Sequence, residues 1–342
     1  MSRKAIFGII FLTLLSLDIF VMRKEACHAQ KRFSIKFATI APEGSTWVKH
    51  MRRLDTRLNK KSNGMIRFRI YAGGIAGDEF DVLKKIRIGQ IHCAAFSGVG
   101  IARIVPMVRV LDLPFLFRNR KEIDSVHEEL KDFFSEHFRK AGFEFLAWAE
   151  VGNVHLFSKK PIRKRADLSG LKIWTWTGDP ISKKTFTALG TSPIPLSITD
   201  VTTALSTNMI DTVYSPPLGA LALQWHSHIK YMTSFPITHA TGAVLISRGY
   251  FNKISSELTK LLKDEIQLAM NDLTSELVSQ TKEAVSLIKK SGVVISPTPA
   301  KSDLRDFYMV HDQVAQDLAG VIYPRELLDR VYGILERIRR TK

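Results

Sequence analysis

The sequence predicts an α/β protein: a clamshell of two discontinuous lobes joined by a long connecting helix. Three observations carry that expectation. β-like and helical segments alternate from residue 33 onward. The run "FEFLAWAEVGNVHLFSKKPI" is long enough to leave one lobe and enter another. Ser255 to Lys290 reads as one helix that would reach roughly 50 Å at ~1.5 Å per residue, longer than a small domain needs. With 342 residues, 45% of them apolar, the chain has room for two domains of ordinary size.

The chain opens with Ser2-Arg3-Lys4, an apolar run from Ala5 to Leu17, and the small-residue site Cys27-His28-Ala29. That is a secretory signal peptide over residues 1–29, cut after Ala29. An uncleaved membrane anchor is the alternative, but Asp18 interrupts a run already short for a span of ~20 residues. A lipid anchor at Cys27 is a third option, weakened by Lys24 and Glu25 just before it. Cleavage leaves Cys93 alone, so no internal disulfide is expected. Cys93 lies in the apolar "IHCAAFSG" and reads as a core residue rather than a nucleophile.

"FSIKFATIAP" is a strand, and "STWVKHMRRLDTRLNKKSNG" a helix capped by Ser45 and closed by Gly64. "MIRFRIYAGG" alternates as a half-buried strand; "DEFDVLKKIRIGQI" is a helix closed by Gly89, and "HCAAFSG" a short strand. This β-α-β-α-β order predicts an open, largely parallel sheet wrapped by helices. After "VLDLPFLF" comes a helix across "RKEIDSVHEELKDFFSEHFRKAG", then the long crossing strand. "LKIWTWTGDP" begins the second β-α unit. In an extended chain Trp174 and Trp176 share one face, Asp179 caps a helix and Pro180 is its first residue. A strand running into a helix start is where open α/β sheets place their ligands. Helix 180–189, "SPIPL", helix 200–208, "MIDTVYS" and "TGAVLISRGYFNKI" follow; the long helix, "GVVISP" and two helices finish the chain. Lobe I is expected at 30–155 with part of 245–300, lobe II at 156–244 with C-terminal segments, and the bridging helix at 255–290.

The formal charge is +17; the signal segment carries +2 of it, leaving +15 on the mature chain. Its cations are scattered, with no basic stripe interleaved with aromatics, so nucleic acid is not an expected partner. The ten histidines show no metal spacing, and catalytic and phosphate-binding motifs are missing. No cofactor, metal or enzymatic activity is expected. Asp78, Glu79 and Asp81 could suggest a cation site, but better suit a helix N-terminus, where negative charge complements the dipole. Glu150 could be the one charge of a pocket, but reads better as an exposed strand-end glutamate.

"GGIAGDEFDVLKKIRIGQI", "LDLPFLF", "ADLSGLKIW" and "LGTSPIPLSITDVTTALSTNMIDTVYSPP" together, in this order and spacing, resemble the solute-binding proteins of TRAP transporters, in their dicarboxylate-binding branch. The resemblance runs from about residue 33 to 335. It implies a periplasmic-binding-protein-like fold, a periplasmic location, and delivery of a small-molecule ligand to membrane permease subunits driven by an ion gradient.

The departures matter most. Organic-acid binders of that family normally carry an arginine after "GLKI", where this chain has Trp174. A second arginine often follows a glycine in the strand before the second lobe, where this chain has Val154, and the usual polar residue before proline is reduced to Ser215. A pocket without either cation would pay heavily to desolvate a carboxylate. The expected ligand is therefore largely apolar or aromatic. The expected contacts are Trp174 and Trp176 as flat walls, Phe96, Ser97 and Gly98 at a strand end, Tyr214, Ser215, Trp47, Val154 and Ile198. An organic-acid binder using other cationic residues, or a periplasmic sensor module, is the alternative. "LGALALQWHSHIKYM" also resembles a subgroup that lacks the arginine and works with a periplasmic tetratricopeptide-repeat protein, which makes Trp225 and His226 candidate surface contacts for such a partner.

Overall fold

The computed structural model describes residues 32–340; the signal peptide and the Cys27 anchor lie outside them. The first unit is β1 (Phe33–Ala38), α1 (Thr46–Lys61), β2 (Ile66–Tyr71), α2 (Glu79–Arg87), β3 (Cys93–Ser97) and α3 (Gly98–Ala102). Ser45 caps α1 by accepting from the Val48 amide, and Asp78 caps α2 by accepting from Phe80 and Asp81. Strand β1 lies parallel to β2 on one side and β3 on the other. Cys93 is buried in that sheet, and burial pushes its thiol pKa up, as a core role requires.

A 3₁₀ segment, Pro106–Asp112, leads to α4 (Arg120–Lys140) and to β4 (Phe143–Ser158), 16 residues long. Up to Val154, β4 pairs antiparallel with β9 (Thr238–Ser247). Its last four residues pair with β7 (Thr212–Ser215), and Phe157 and Ser158 also with β8 (Tyr231–Met232). One strand thus runs through two groups of partners. Since β9 lies antiparallel to both β3 and β4, the sheet is mixed rather than largely parallel. Neighbours that run in opposite senses need no crossover helix, so the β-α alternation stops predicting direction once β4 is reached. The register shifts at Glu150/Gly152 put a bulge in β4 where the strand passes the cleft.

The second unit holds β5 (Trp174–Trp176), α5 (Pro180–Ala188), β6 (Ile194–Leu196), α6 (Val201–Ser206) and α7 (Pro217–Ala222). β5 and β6 pair in parallel as a separate two-stranded sheet. The helical turn α8 (Arg248–Phe251) precedes α9 (Ser256–Lys290), the long helix, capped by Ser255. Leu258, Leu262, Ile266, Ala269, Leu273 and Leu277 form its buried stripe. It packs on α1, β4 and α7, touching elements from both units like a brace. After β10 (Val294–Ile295), α10 (Lys301–Leu318) packs on α5 and α11 (Arg325–Arg340) on α4. This is a mixed α/β, two-lobed fold.

Candidate functional site

A cleft of about 530 Å³ lies between the two units, and every residue expected from the sequence to contact ligand lines it. Its two walls differ in chemistry.

The wall from the second unit is aromatic. Alternation in β5 turns both tryptophans into one cluster, with ring centroids 6.0 Å apart. Trp174 stacks on Tyr214 at 4.9 Å and 21°, and meets Trp225 edge-on at 5.4 Å. Its Nε1 donates to the Leu196 carbonyl at 3.1 Å, and the ring is only 2% exposed. Trp176 donates its backbone N–H to the Tyr214 hydroxyl, whose pKa burial raises. Phe186 of α5 closes the cluster at 5.4 Å from Tyr214.

Trp225 requires a correction. Expected at the surface as a partner contact, it is 1% exposed, lines the cleft, and donates Nε1 to Thr202 Oγ1 at 3.2 Å. Gln224 before it has φ +58°, a left-handed residue that turns the chain inward ahead of the 3₁₀ turn Trp225–His228. His226 stays half-buried, its Nδ1 against the Ala220 carbonyl.

The wall from the first unit sets buried charges, Glu79, Arg109 and Asp112, among apolar residues such as Ile40, Phe96 and Val99. Ser97 caps α3 and donates its N–H and Oγ to the two oxygens of Glu79, at 2.7 and 2.8 Å. Burial pushes the Glu79 pKa up to about 7, against those hydrogen bonds, which favour the ionised form. Asp78 takes the capping role expected of this acidic cluster, and Glu79 turns inward. Among the described residues lining the cleft, Arg109 is the one lysine, arginine or histidine. It lies on the 3₁₀ segment, is 5% exposed, and gives Nη1 to Asp112 (2.5 Å) and Nη2 to Asp179 (2.7 Å). Burial opposes its charge, but Asp179 and Asp112 outweigh that and its pKa rises. Burial also raises Asp112 to about 6, although Arg109 and the Thr241 amide favour its ionised form. Gly98 lets this cluster approach: a Cβ there would collide with Asp112 Oδ2 and Arg109 Nη1.

Glu150 is a second correction. It is 8% exposed rather than open to solvent, because β4 continues past it as a strand interior. Arg120 Nη1 donates to its Oε2 at 2.5 Å, and Trp47 Nε1 reaches its carbonyl at 3.1 Å. Sequence reasoning missed Arg109, Asp112 and Glu79 as cleft residues. The available signal was an arginine inside the apolar "VRVLDL" with an aspartate three positions on.

Among the described residues, no cluster of histidine, cysteine and acidic side chains is set to hold a metal, and no helix is long and apolar enough to cross a membrane.

Two α/β lobes meeting over a cleft define a binding-protein clamshell. Residues 37–319 match the bacterial extracellular solute-binding proteins, family 7 (DctP), and the chain belongs to that family. It is similar to a TRAP periplasmic solute-binding protein from Pseudomonas putida F1 solved with bound D-glucuronate. That likeness has 25% identity and a TM-score of 0.79, and covers 87% of this chain and 96% of that one. The sugar acid binding protein DctPAm of Advenella mimigardefordensis, in complex with galactonate, shares the fold. There the TM-score is 0.85 and the identity 19%, over 90% of this chain and 99% of the other. In sequence, the 2,3-diketo-L-gulonate-binding periplasmic protein YiaO of Escherichia coli K12 is 24% identical over 254 residues, 71% of this chain and 75% of its own length. The chain is thus a TRAP-type solute-binding protein, of a class that binds small molecules and delivers them to membrane permease subunits.

Proposed function

We propose that this protein is the periplasmic receptor of a TRAP uptake system, exported by residues 1–29. Its ligand is a small uncharged molecule, apolar or aromatic in its main body. The lobes divide near residue 155, where β4 changes partners. The ligand sits against Trp174, Trp176 and Tyr214 on one side and Phe96, Ser97 and Val154 on the other.

One observation carries the reading: among the described residues lining the cleft, the one guanidinium is already held by two carboxylates of the chain. A ligand carboxylate would find no free cation, and the desolvation cost of an unpaired buried charge is several kcal/mol. Aromatic contacts, by contrast, add roughly 0.5–1.5 kcal/mol per pair beyond area burial. The three relatives described above are named for, or hold, sugar acids; this cleft shares their fold and has its lining arginine already paired. A tetratricopeptide-repeat partner rests on the resemblance of Leu218–Met232, and with Trp225 buried its contact would fall on His226 and the exposed Gln224.

The test is a thermal-shift screen with matched pairs, each scaffold offered as its carboxylate and as its primary amide. Amides should raise Tm where their acids do not. Acids that stabilise more than their amides would overturn the reading.

A further inference from the structure

The two carboxylates on Arg109 are not equivalent. Asp112 sits three residues away on the same 3₁₀ segment, and its Oδ1 is fixed from behind by the Thr241 amide at 2.7 Å. Asp179 arrives from the opposite wall, 70 residues on in sequence, as the cap of α5. Its Oδ1 accepts both from Arg109 Nη2 and from the Ile181 amide at 3.1 Å. Asp179 therefore occupies the place on the guanidinium fork that a bound organic acid would need.

We propose that Asp179 is a specificity-determining residue: an internal carboxylate that saturates Arg109 and keeps organic acids out of the cleft. This deepens, and rests on, the uncharged-ligand reading above. One guanidinium and two carboxylates together carry a formal charge of −1. Among the described lining residues Arg109 is the one cation, and an entering anion meets net repulsion there because the group it must pair with is buried with two carboxylates. Because Arg109 and Asp179 stand on opposite walls, their pair also supplies a charge contact across the cleft without help from a ligand.

The test is isothermal titration with D-glucuronate and with benzoate. Asp179→Ser keeps a capping hydroxyl for α5 while removing the charge and opening space; Asp179→Asn keeps shape and cap and removes only the charge. Wild type should give no measurable heat. Asp179→Ser should bind at least one of the two acids at least about tenfold more tightly than wild type, with Asp179→Asn between them. Adding Arg109→Met should abolish the gain. Circular dichroism establishes which variants are folded, and either variant alone suffices. Folded variants that exclude both acids as wild type does, or a gain that survives Arg109→Met, would overturn the Asp179 assignment alone. A wild type that binds either acid as tightly as the variants would instead overturn the uncharged-ligand reading.

Discussion

The wall built by residues 79–112 and the wall built by residues 174–225 face the same cavity and hold themselves together by different physics. On the aromatic side, Trp174, Trp176 and Trp225 are core residues, with the half-buried Tyr214 packed on them, and all four line the cleft. That surface comes with the packing that folds the unit, and the charge of the solution hardly matters to those rings. On the other side, Glu79, Arg109 and Asp112 are buried charges balanced by Ser97, Asp179 and Thr241. That wall is only as stable as its hydrogen bonds and protonation states. A tryptophan of the aromatic wall can be altered only at the expense of the fold, whereas a charged group of the cleft changes the response to pH and charge.

The sharpest way to break this contrast is at Trp174. Trp174→Ala should cost about 3–5 kcal/mol in urea unfolding, because a large ring packed on Tyr214 and Trp225 leaves a cavity behind. Trp174→Arg should destabilise at least as much, since its guanidinium would enter an aromatic stack rather than an open site. A stable Trp174→Arg protein would mean that the ring is not part of the core.

The wall with the buried charges should answer to pH instead. Glu79 has a folded-state pKa raised to about 7 by burial, so the native protein holds a proton that the unfolded chain releases at lower pH. Its contribution is fully present below the ordinary glutamate range near pH 4.5 and is lost as pH rises through about 7. Relative to wild type, Glu79→Gln should therefore gain about 2–3 kcal/mol between pH 4.5 and 8, read from unfolding midpoints across that window. Other titrating groups are common to both proteins and cancel. A flat difference would show Glu79 to be solvated.

Gly98→Ala should cost about 1–3 kcal/mol, since the added methyl meets Asp112 and Arg109 and the pair must shift. The smallest effect belongs to the rim, where Ser197 Oγ donates to Asp78 Oδ2 at 3.0 Å. Ser197→Ala should lower stability by about 0.5–1 kcal/mol and leave ligand preference unchanged.

What the sequence discloses about this site follows the range of the forces involved. The shared face of Trp174 and Trp176, the Asp179 cap and the Pro180 helix start are set by neighbours a few residues apart, and the structure has each in place. The long helix is legible for the same reason, through its repeating leucines. Arg109 and Asp179 meet only because two walls come together, and no periodicity encodes that. Glu150 looked terminal because the bulge at Gly152 interrupts the pattern of β4, while its burial depends on Arg120 from another helix. Trp225 was misplaced by one left-handed glutamine, which has no reliable local signature. The antiparallel β9 was hidden by distance: its partners β3 and β4 lie about 90 to 150 residues earlier in the chain.

The account turns on the charge state of whatever this cleft carries. The most direct measurement is native mass spectrometry of the protein purified from its own cells without dialysis, followed by denaturation and identification of the released molecule. An uncharged compound with an apolar or aromatic body is the predicted result. A released sugar acid or dicarboxylate, bound one to one, would contradict it.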